Sequence, residues 1–334
     1  MPLELGPINL SNPVLLAPMS GVTDLPFRRL VSSFGIGLLY TEMVATKIIS
    51  KQQSKLTGLD ERNLNSPPTV VQLLGRDPLV MSECGLFCQD LGASAIDINL
   101  GCPARKVVGG LAGSALMKEE SLVAQIISSL VKAVKIPVTV KMRTGWDDKN
   151  RNAPKLSKIA EDCGARMITV HGRTRSQFYA GKSDWRFIGE VVNAVSVPVI
   201  GNGDITTVMD ARKIQLKSGC KGVMIGRGSQ GRPWFPAQVN HYLKTGSQLP
   251  DPPHRVKLQK ILLHLEEMLT FYGFERGHRI AKKHLAWYAQ NLLLSQESRK
   301  SLLSAPNLKS IQSLLETTVS DPQKLACLEG GLGS

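Results

Sequence analysis

The run Ala95-Ile96-Asp97-Ile98-Asn99-Leu100-Gly101-Cys102-Pro103 decides how this chain is read. Its first six residues read as a buried strand, and the Gly and Pro flanking Cys102 stop the backbone from continuing in register. A thiol is thereby held on a turn at the carboxyl end of a strand, a common place for chemistry. Taken alone, a free cysteine is as readily a small buried hydrophobe, so the neighbouring segments carry the decision.

From Val14 to about His241 one theme recurs: a short apolar run, a turn with Gly or polar residues, then a longer amphipathic stretch. The expected strands are Val14 to Ala17, Leu38 to Thr41, Thr69 to Leu73, Ala95 to Leu100, Val138 to Lys141, Met167 to His171, Val197 to Gly201 and Gly222 to Ile225. Eight βα units in about 240 residues predict an α/β chain folded as a (β/α)8 TIM barrel. The runs look near-continuously apolar, as strands buried on both faces should; a doubly wound open sheet is the competing architecture. Polar residues gather at the carboxyl ends of these runs: Met19 and Ser20, Glu42, Gln72, Asn99 and Cys102, Lys141 and Arg143, His171 and Arg173, Asn202 and Asp204, Gly226 and Arg227. In a barrel such ends converge on one mouth. Each could separately be a helix cap or loop residue, and Asp204 is placed to cap a helix starting near Thr206.

The pattern breaks at Gly246-Ser247-Gln248-Leu249-Pro250-Asp251-Pro252-Pro253, a linker. Beyond it, Leu258, Ile261, Leu262, Leu265 and Leu269, then Ile280, His284, Trp287 and Tyr288, then Ile311, Leu314 and Leu315, fall at helical spacing. The expected division is a barrel over residues 1–244 and a small all-helical domain over 251–328, with a disordered tail at Gly330 to Ser334.

The 334 residues are 42% hydrophobic, enough for a sizeable core. No apolar run reaches membrane-spanning length, and Met1 to Gly6 lacks the start of a secretory signal, so a cytoplasmic protein with no membrane association is expected. Six scattered cysteines suit a reducing compartment, and Cys84 with Cys88 lacks a second pair to complete a metal or iron–sulfur site; no metal is expected. Lys and Arg number 41 against 27 Asp and Glu, a net charge of +14. That excess points to a polyanionic partner, nucleic acid ahead of an anionic membrane surface, unless the chain is simply a basic enzyme.

Two Gly-rich turns, Gly201-Asn202-Gly203-Asp204-Ile205 and Gly226-Arg227-Gly228, follow the seventh and eighth runs. These are the recurrent phosphate positions of barrels, where small residues admit backbone N–H groups and a helix N-terminus adds its dipole. Arg227 would clamp the phosphate. There is no strand-linked GxGxxG fingerprint. Lys141 ends the fifth run and Gln72 nearly ends the third; an inward lysine needs a partner. A flavin ring would suit both side chains, while a barrel carboxylate such as Glu42 is the alternative partner for Lys141.

Jointly, Ala17-Pro18-Met19, Val71-Gln72-Leu73, Asn99-Leu100-Gly101-Cys102-Pro103, Lys141-Met142-Arg143-Thr144-Gly145, His171-Gly172-Arg173-Thr174-Arg175, Asn202-Gly203-Asp204-Ile205 and Met224-Ile225-Gly226-Arg227 resemble the tRNA-dihydrouridine synthase family. With Gly231-Arg232-Pro233-Trp234 and Arg279-Ile280-Ala281-Lys282-Lys283-His284, the likeness is greatest to its bacterial B branch. It implies bound FMN, with Pro18, Met19 and Ser20 along the flavin, Gln72 and Lys141 on its ring, Asn202, Gly203, Asp204, Gly226 and Arg227 towards the phosphate, and His171 at the cofactor or, with Arg173, at phosphate or substrate, a hydrogen-bonded barrel histidine being the alternative. It further implies NADPH as electron donor, tRNA as partner, and reduction of a D-loop uridine to 5,6-dihydrouridine. Cys102 becomes the general acid, because an ordinary thiol is mostly protonated at neutral pH. Asn99, Arg143 and Arg173 fall to the substrate, and Arg276, Arg279 and Lys283 form a basic stripe for tRNA phosphates, or otherwise a solvated helix face. Gly109-Gly110 departs from the family's polar or basic residues and suggests a more mobile loop. A monomer is expected. The rival functions are an FMN barrel acting on a free pyrimidine, as dihydroorotate-type dehydrogenases do, and an RNA-binding regulator with a vestigial flavin site.

Overall fold

The computed structural model describes residues 3–59 and 66–319. A hairpin comes first, β1 (Leu3–Leu5) antiparallel to β2 (Ile8–Leu10). The barrel strands are β3 (Val14–Leu16), β4 (Leu39–Tyr40), β6 (Thr69–Leu74), β7 (Ala95–Leu100), β8 (Val138–Arg143), β9 (Met167–His171), β10 (Val199–Asn202) and β11 (Gly222–Ile225), with β5 (Val44–Ala45) added beside the end of β6. They pair in parallel in the order β3-β11-β10-β9-β8-β7-β6-β4. A parallel bridge between Leu15 and Leu38, with Leu16 N donating to Leu38 O at 3.0 Å, joins the first strand to the second and closes the ring. The (β/α)8 reading holds, and the open sheet does not.

Helices α1 (Leu25–Ser32), α2 (Pro78–Asp90), α3 (Arg105–Gly109), α4 (Glu120–Ala133), α5 (Ala153–Asp162), α6 (Trp185–Ala194), α7 (Val208–Ser218) and α8 (Phe235–Thr245) follow the strands. Local chemistry starts several of them. Asp24, Asp77 and Asp184 accept from first-turn N–H groups, Pro occupies the first turn of α1, α2 and α5, and Thr207 with Asp210 forms a capping box on α7. That helix begins at Val208, so Asp204 is not its cap; Thr207 is.

The strands differ from the sequence expectation in one respect that matters. Along β7 to β9 the residues alternate: Asp97 and Asn99, Thr139, Lys141 and Arg143, Thr169 and His171 take one side, all buried but the half-buried Lys141 and His171, and Ile96, Ile98, Val140, Met142, Ile168 and Val170 the other. Register puts Gln72, Asp97 and Thr139 in one row, Asn99, Lys141 and Thr169 in the next, and Arg143, His171 and Asn202 in the third. The polar side chains therefore stack in layers that climb to the carboxyl ends. At the opposite ends Leu3, Leu5 and Leu10 of the hairpin pack with Leu15, Val70, Ala95, Met167, Ile200 and Met224, filling the bottom of the barrel with apolar side chains.

The chain divides into two compact units. One runs through Gly228 and includes Pro236–Gln248; the other joins Ser229–Phe235 to the chain from Leu249 onward. The second contains α9 (His254–Tyr272), α10 (Phe274–Asn291), α11 (Gln296–Ser304) and α12 (Leu308–Val319). Its core gathers Leu258, Ile261, Leu265, Met268, Leu285, Tyr288, Leu302, Ile311 and Leu315. Asp251 accepts from Lys257 Nζ at 2.7 Å and from Trp234 Nε1 at 3.2 Å, tying the Ser229–Phe235 segment to the start of α9. The expected end of the helical domain at Leu328 and the tail from Gly330 lie outside the described residues. Among the described residues no helix is long and apolar enough to cross a membrane.

Candidate active site

Cys102 stands just past β7, half-buried, on a loop that Asn99 shapes. Asn99 Oδ1 accepts from the N–H groups of Gly101, at 3.1 Å, and Cys102, at 2.9 Å. The carbonyl of Cys102 accepts from Ser114 N and Oγ. Gly113, at φ 60°, lies against the turn; a Cβ there would fall 2.9 Å from Cys102 O and 2.7 Å from Val107, so only glycine lets the loop close this tightly. Burial pushes the thiol above its ordinary pKa, outweighing the Ala104 backbone and the Arg143 and Lys141 charges that pull it down. The group is thus a protonated thiol at neutral pH rather than a thiolate. Residues 105–109 form the short helix α3, which ends at the Gly109-Gly110 pair.

Beneath the thiol runs a polar column. Gln72, wholly buried, donates from Nε2 to Asp97 Oδ2 and accepts at Oε1 from Asn99 Nδ2, both at 2.7 Å. Thr139 Oγ1 donates to Asp97 Oδ1 at 2.6 Å. Lys141 Nζ donates to Asn202 Oδ1 at 3.1 Å, and Asn202 Nδ2 donates to Met224 O. Burial brings the Lys141 ammonium down to about 8, with Asp97 opposing the fall; it stays charged at pH 7. The alternative partner Glu42 is elsewhere, accepting from the Gly21 N–H. Sequence reasoning misses Asp97, although its alternation with Asn99 is a signal.

Arg143 and Arg173 are both buried, and most of their donors serve the frame. Arg143 donates to the carbonyls of Gly101, Thr174 and Phe178, lacing the Cys102 loop to the loop after β9. Arg173 donates to the Ala180 and Gly181 carbonyls, to Asp204 Oδ2 at 2.8 Å and towards His171 Nε2 at 3.3 Å. Since a guanidinium only donates, His171 accepts at Nε2 and carries its proton on Nδ1. Burial first, then the Lys141, Arg143, Arg173 and Arg227 charges, hold this imidazole neutral. Asp204, at φ 58°, also accepts from Ser183 N at 2.7 Å.

The turns after β10 and β11 offer the anion site. Gly203, at φ 114°, lies against His171 and Ser183; a Cβ would come within 2.6 Å of both. Ala17 N donates to Ile225 O at 2.8 Å, bringing Ala17 and Met19 beside Gly226, with Pro18 and Ser20 next to them in the chain. Arg227 is 57% exposed at its side chain, 3.8 Å from Asp204 and 5.2 Å from the ring of Tyr179, itself 58% exposed. Arg227–Ser229 is a single 3-10 turn and α7 starts only at Val208, so neither glycine turn runs directly into a full helix. A half-buried lysine ammonium, a neutral imidazole, the exposed Arg227 and two glycine turns at the seventh and eighth strands are a set that fits a flavin with one phosphate.

In the helical unit, Arg276 and Arg279 are exposed on α10 and Lys283 is half-buried, one face apart from the buried Gly277, Ala281, His284 and Leu285.

The sequence profile of the dihydrouridine synthase family matches residues 15–321. A protein named probable tRNA-dihydrouridine synthase from Rickettsia bellii is 50% identical over 298 residues, 89% of this chain and 91% of its own. The tRNA-dihydrouridine synthase B of Pseudomonas aeruginosa is 44% identical over 300 residues, 89% of this chain and 90% of its own. Among solved structures, the 6-hydroxypseudooxynicotine amine oxidase of Pseudomonas geniculata N1 aligns with a TM-score of 0.56 at 13% identity, over 73% of this chain and 49% of that one. The last likeness concerns the fold alone.

Proposed function

We propose that this chain, which belongs to the dihydrouridine synthase family, uses FMN and NADPH to reduce the C5=C6 bond of a D-loop uridine in tRNA. The observation that carries the reading is the half-buried Cys102 thiol, held protonated at the carboxyl end of β7 beside the Lys141 and Arg143 charges. The relatives' names and the net charge of +14 favour a tRNA substrate over a free pyrimidine.

FMN, when bound, supplies the hydride that C6 of the uracil receives and is recharged by NADPH. Lys141 would hold the electron-rich edge of the ring, since an ammonium stabilises the negative charge that reduction adds. Gln72 and His171 would face the ring, Pro18, Met19 and Ser20 would line it, and Asn202, Gly203, Asp204, Gly226 and Arg227 would hold the phosphate end. Cys102 gives its proton to C5 as C6 gains hydride, and the thiolate takes a proton back from solvent. The balance is one hydride and one proton added across the double bond. Asn99, Arg143 and Arg173 would bound the substrate's space, and the reactive base must leave its stack to enter it. Arg276, Arg279 and Lys283 would meet tRNA phosphates.

Replacing Cys102 tests this. Cys102→Ala is expected to keep fold and flavin, to be reduced by NADPH at the parent rate, and to reduce tRNA about 10²- to 10⁴-fold more slowly, as loss of a positioned acid does. A variant that forms dihydrouridine at nearly the parent rate refutes the assignment.

A further inference from the structure

Asp97 is an ionisable group that the reaction above leaves without a task. It is fully buried on β7, and a neutral residue would cost far less to bury there. Its bonds run in one direction: Gln72 Nε2 donates to it, Asn99 Nδ2 donates to Gln72 Oε1, and the N–H groups of Gly101 and Cys102 donate to Asn99 Oδ1. An ionised carboxylate can only accept. Gln72 must therefore turn its NH2 towards Asp97, which leaves its oxygen for Asn99. Asn99 must in turn spend its NH2 on Gln72, which leaves its oxygen for the two backbone amides. Flipping either amide would set donor against donor or acceptor against acceptor in a buried column. Lys141, the cation facing Asp97, is bonded to Asn202 and does not compete for the relay.

We propose that Asp97 is a positioning residue, which through Gln72 and Asn99 fixes the backbone of Gly101 and Cys102 and with it the direction of the thiol. This assignment rests on the reading of Cys102 as the acid, but its test does not. The carboxylate is preferred to an amide of the same size because it allows one polarity. Asparagine at 97 could present either its oxygen or its NH2 to Gln72, and the second choice would turn the Asn99 NH2 towards the two N–H groups it must accept from.

Hydrogen exchange at the Gly101 and Cys102 amides reads the relay directly, in flavin-bound protein without NADPH or tRNA. At pH 8, Asp97→Asn is expected to speed exchange at both by about tenfold, the size of one weakened hydrogen bond, while Ile96 and Ile98 in the same strand keep the parent rate. Thr139→Val, which removes the other bond to Asp97, should leave both amides protected. The parent protein supplies a second readout that needs no variant to fold. Burial places the Asp97 carboxyl at about 6, so protection of the two amides, corrected for intrinsic exchange, should fall as pH drops through that value. The ionisable groups facing Asp97 are Lys141 on β8 and Tyr40 on β4, and neither changes charge between pH 5 and 7. Parent-like exchange in Asp97→Asn together with pH-independent protection in the parent overturns the proposal. A normal result here beside a fully active Cys102→Ala would instead leave the relay standing and remove the acid.

Discussion

Acid should loosen the helical unit, and the size of the effect can be worked from one side chain. His264 is buried in α9, with Nδ1 2.9 Å from the Tyr288 hydroxyl and its ring 4.8 Å from that of His284. Burial, helped by the Lys283 charge, holds it down at about 3. An unfolded histidine titrates near 6.5. The folded value is depressed, so the neutral ring stabilises the fold in full above pH 6.5, and that stability drains away as pH falls towards 3. Between pH 7.5 and 5 the linkage amounts to about 2 kcal/mol for this residue alone. His284, whose pKa burial also lowers, acts in the same direction. Urea unfolding of the parent and of His264→Asn at the two pH values isolates the term, because the titrations they share cancel. The parent is expected to lose about 2 kcal/mol more than the variant. Identical pH dependence in both proteins would mean that His264 is not held neutral in the fold.

The remaining expectations concern the two ends of the proposed reaction. Purified protein should be yellow and release FMN rather than FAD on denaturation, and Lys141→Ala should weaken flavin retention or reduction far more than Lys282→Ala; equal effects would take Lys141 out of the site. Reversing the charge of Arg276, Arg279 and Lys283 together should weaken tRNA binding and flatten its salt dependence, by about 0.7 to 0.9 in log–log slope for each phosphate that is no longer neutralised. NADPH oxidation with an artificial acceptor should stay near the parent rate. Unchanged affinity and slope would make that stripe a solvated helix face and move the grip to the barrel rim around Arg105, Lys106 and Arg175.

Much of the fold is legible in the sequence because strand runs and turns are local signals. Ala95 to Leu100, Met167 to His171 and Gly222 to Ile225 coincide with strands to the residue, and other ends move by one or two positions. The hairpin of residues 3–10 escapes because two three-residue strands carry no period long enough to register. Asp97, Thr139 and Thr169 escape for a different reason: their runs look continuously apolar until the period-two polar residues within them are weighed. Position is easier to foresee than bonding. Arg143, Arg173 and Asn99 do sit at the mouth, but their partners are carbonyls, amides and carboxylates brought there by cross-strand register and by loops distant in the chain, which one-dimensional spacing cannot supply. The left-handed backbone of Asp204 likewise turns a candidate cap into a ligand for Arg173 and Ser183.

The way the ring closes bears on how the chain is made. Leu15 on β3 has strand neighbours on both sides, Leu38 and Met224, and the second lies far towards the other end of the barrel sequence. The leucines of the 3–10 hairpin pack against Ile200 and Met224 as well. On a ribosome, adding about 5 to 20 residues each second, those first strands wait some tens of seconds for their last partner. Throughout that time β3 keeps one edge unpaired and the hairpin keeps apolar surface exposed, the two features that recruit chaperones or wrong strands. Synthesis is therefore a second stage, beside equilibrium stability, at which substitutions in Leu3, Leu5 or Leu10 should do harm: less soluble protein per message than the loss of core packing alone would give.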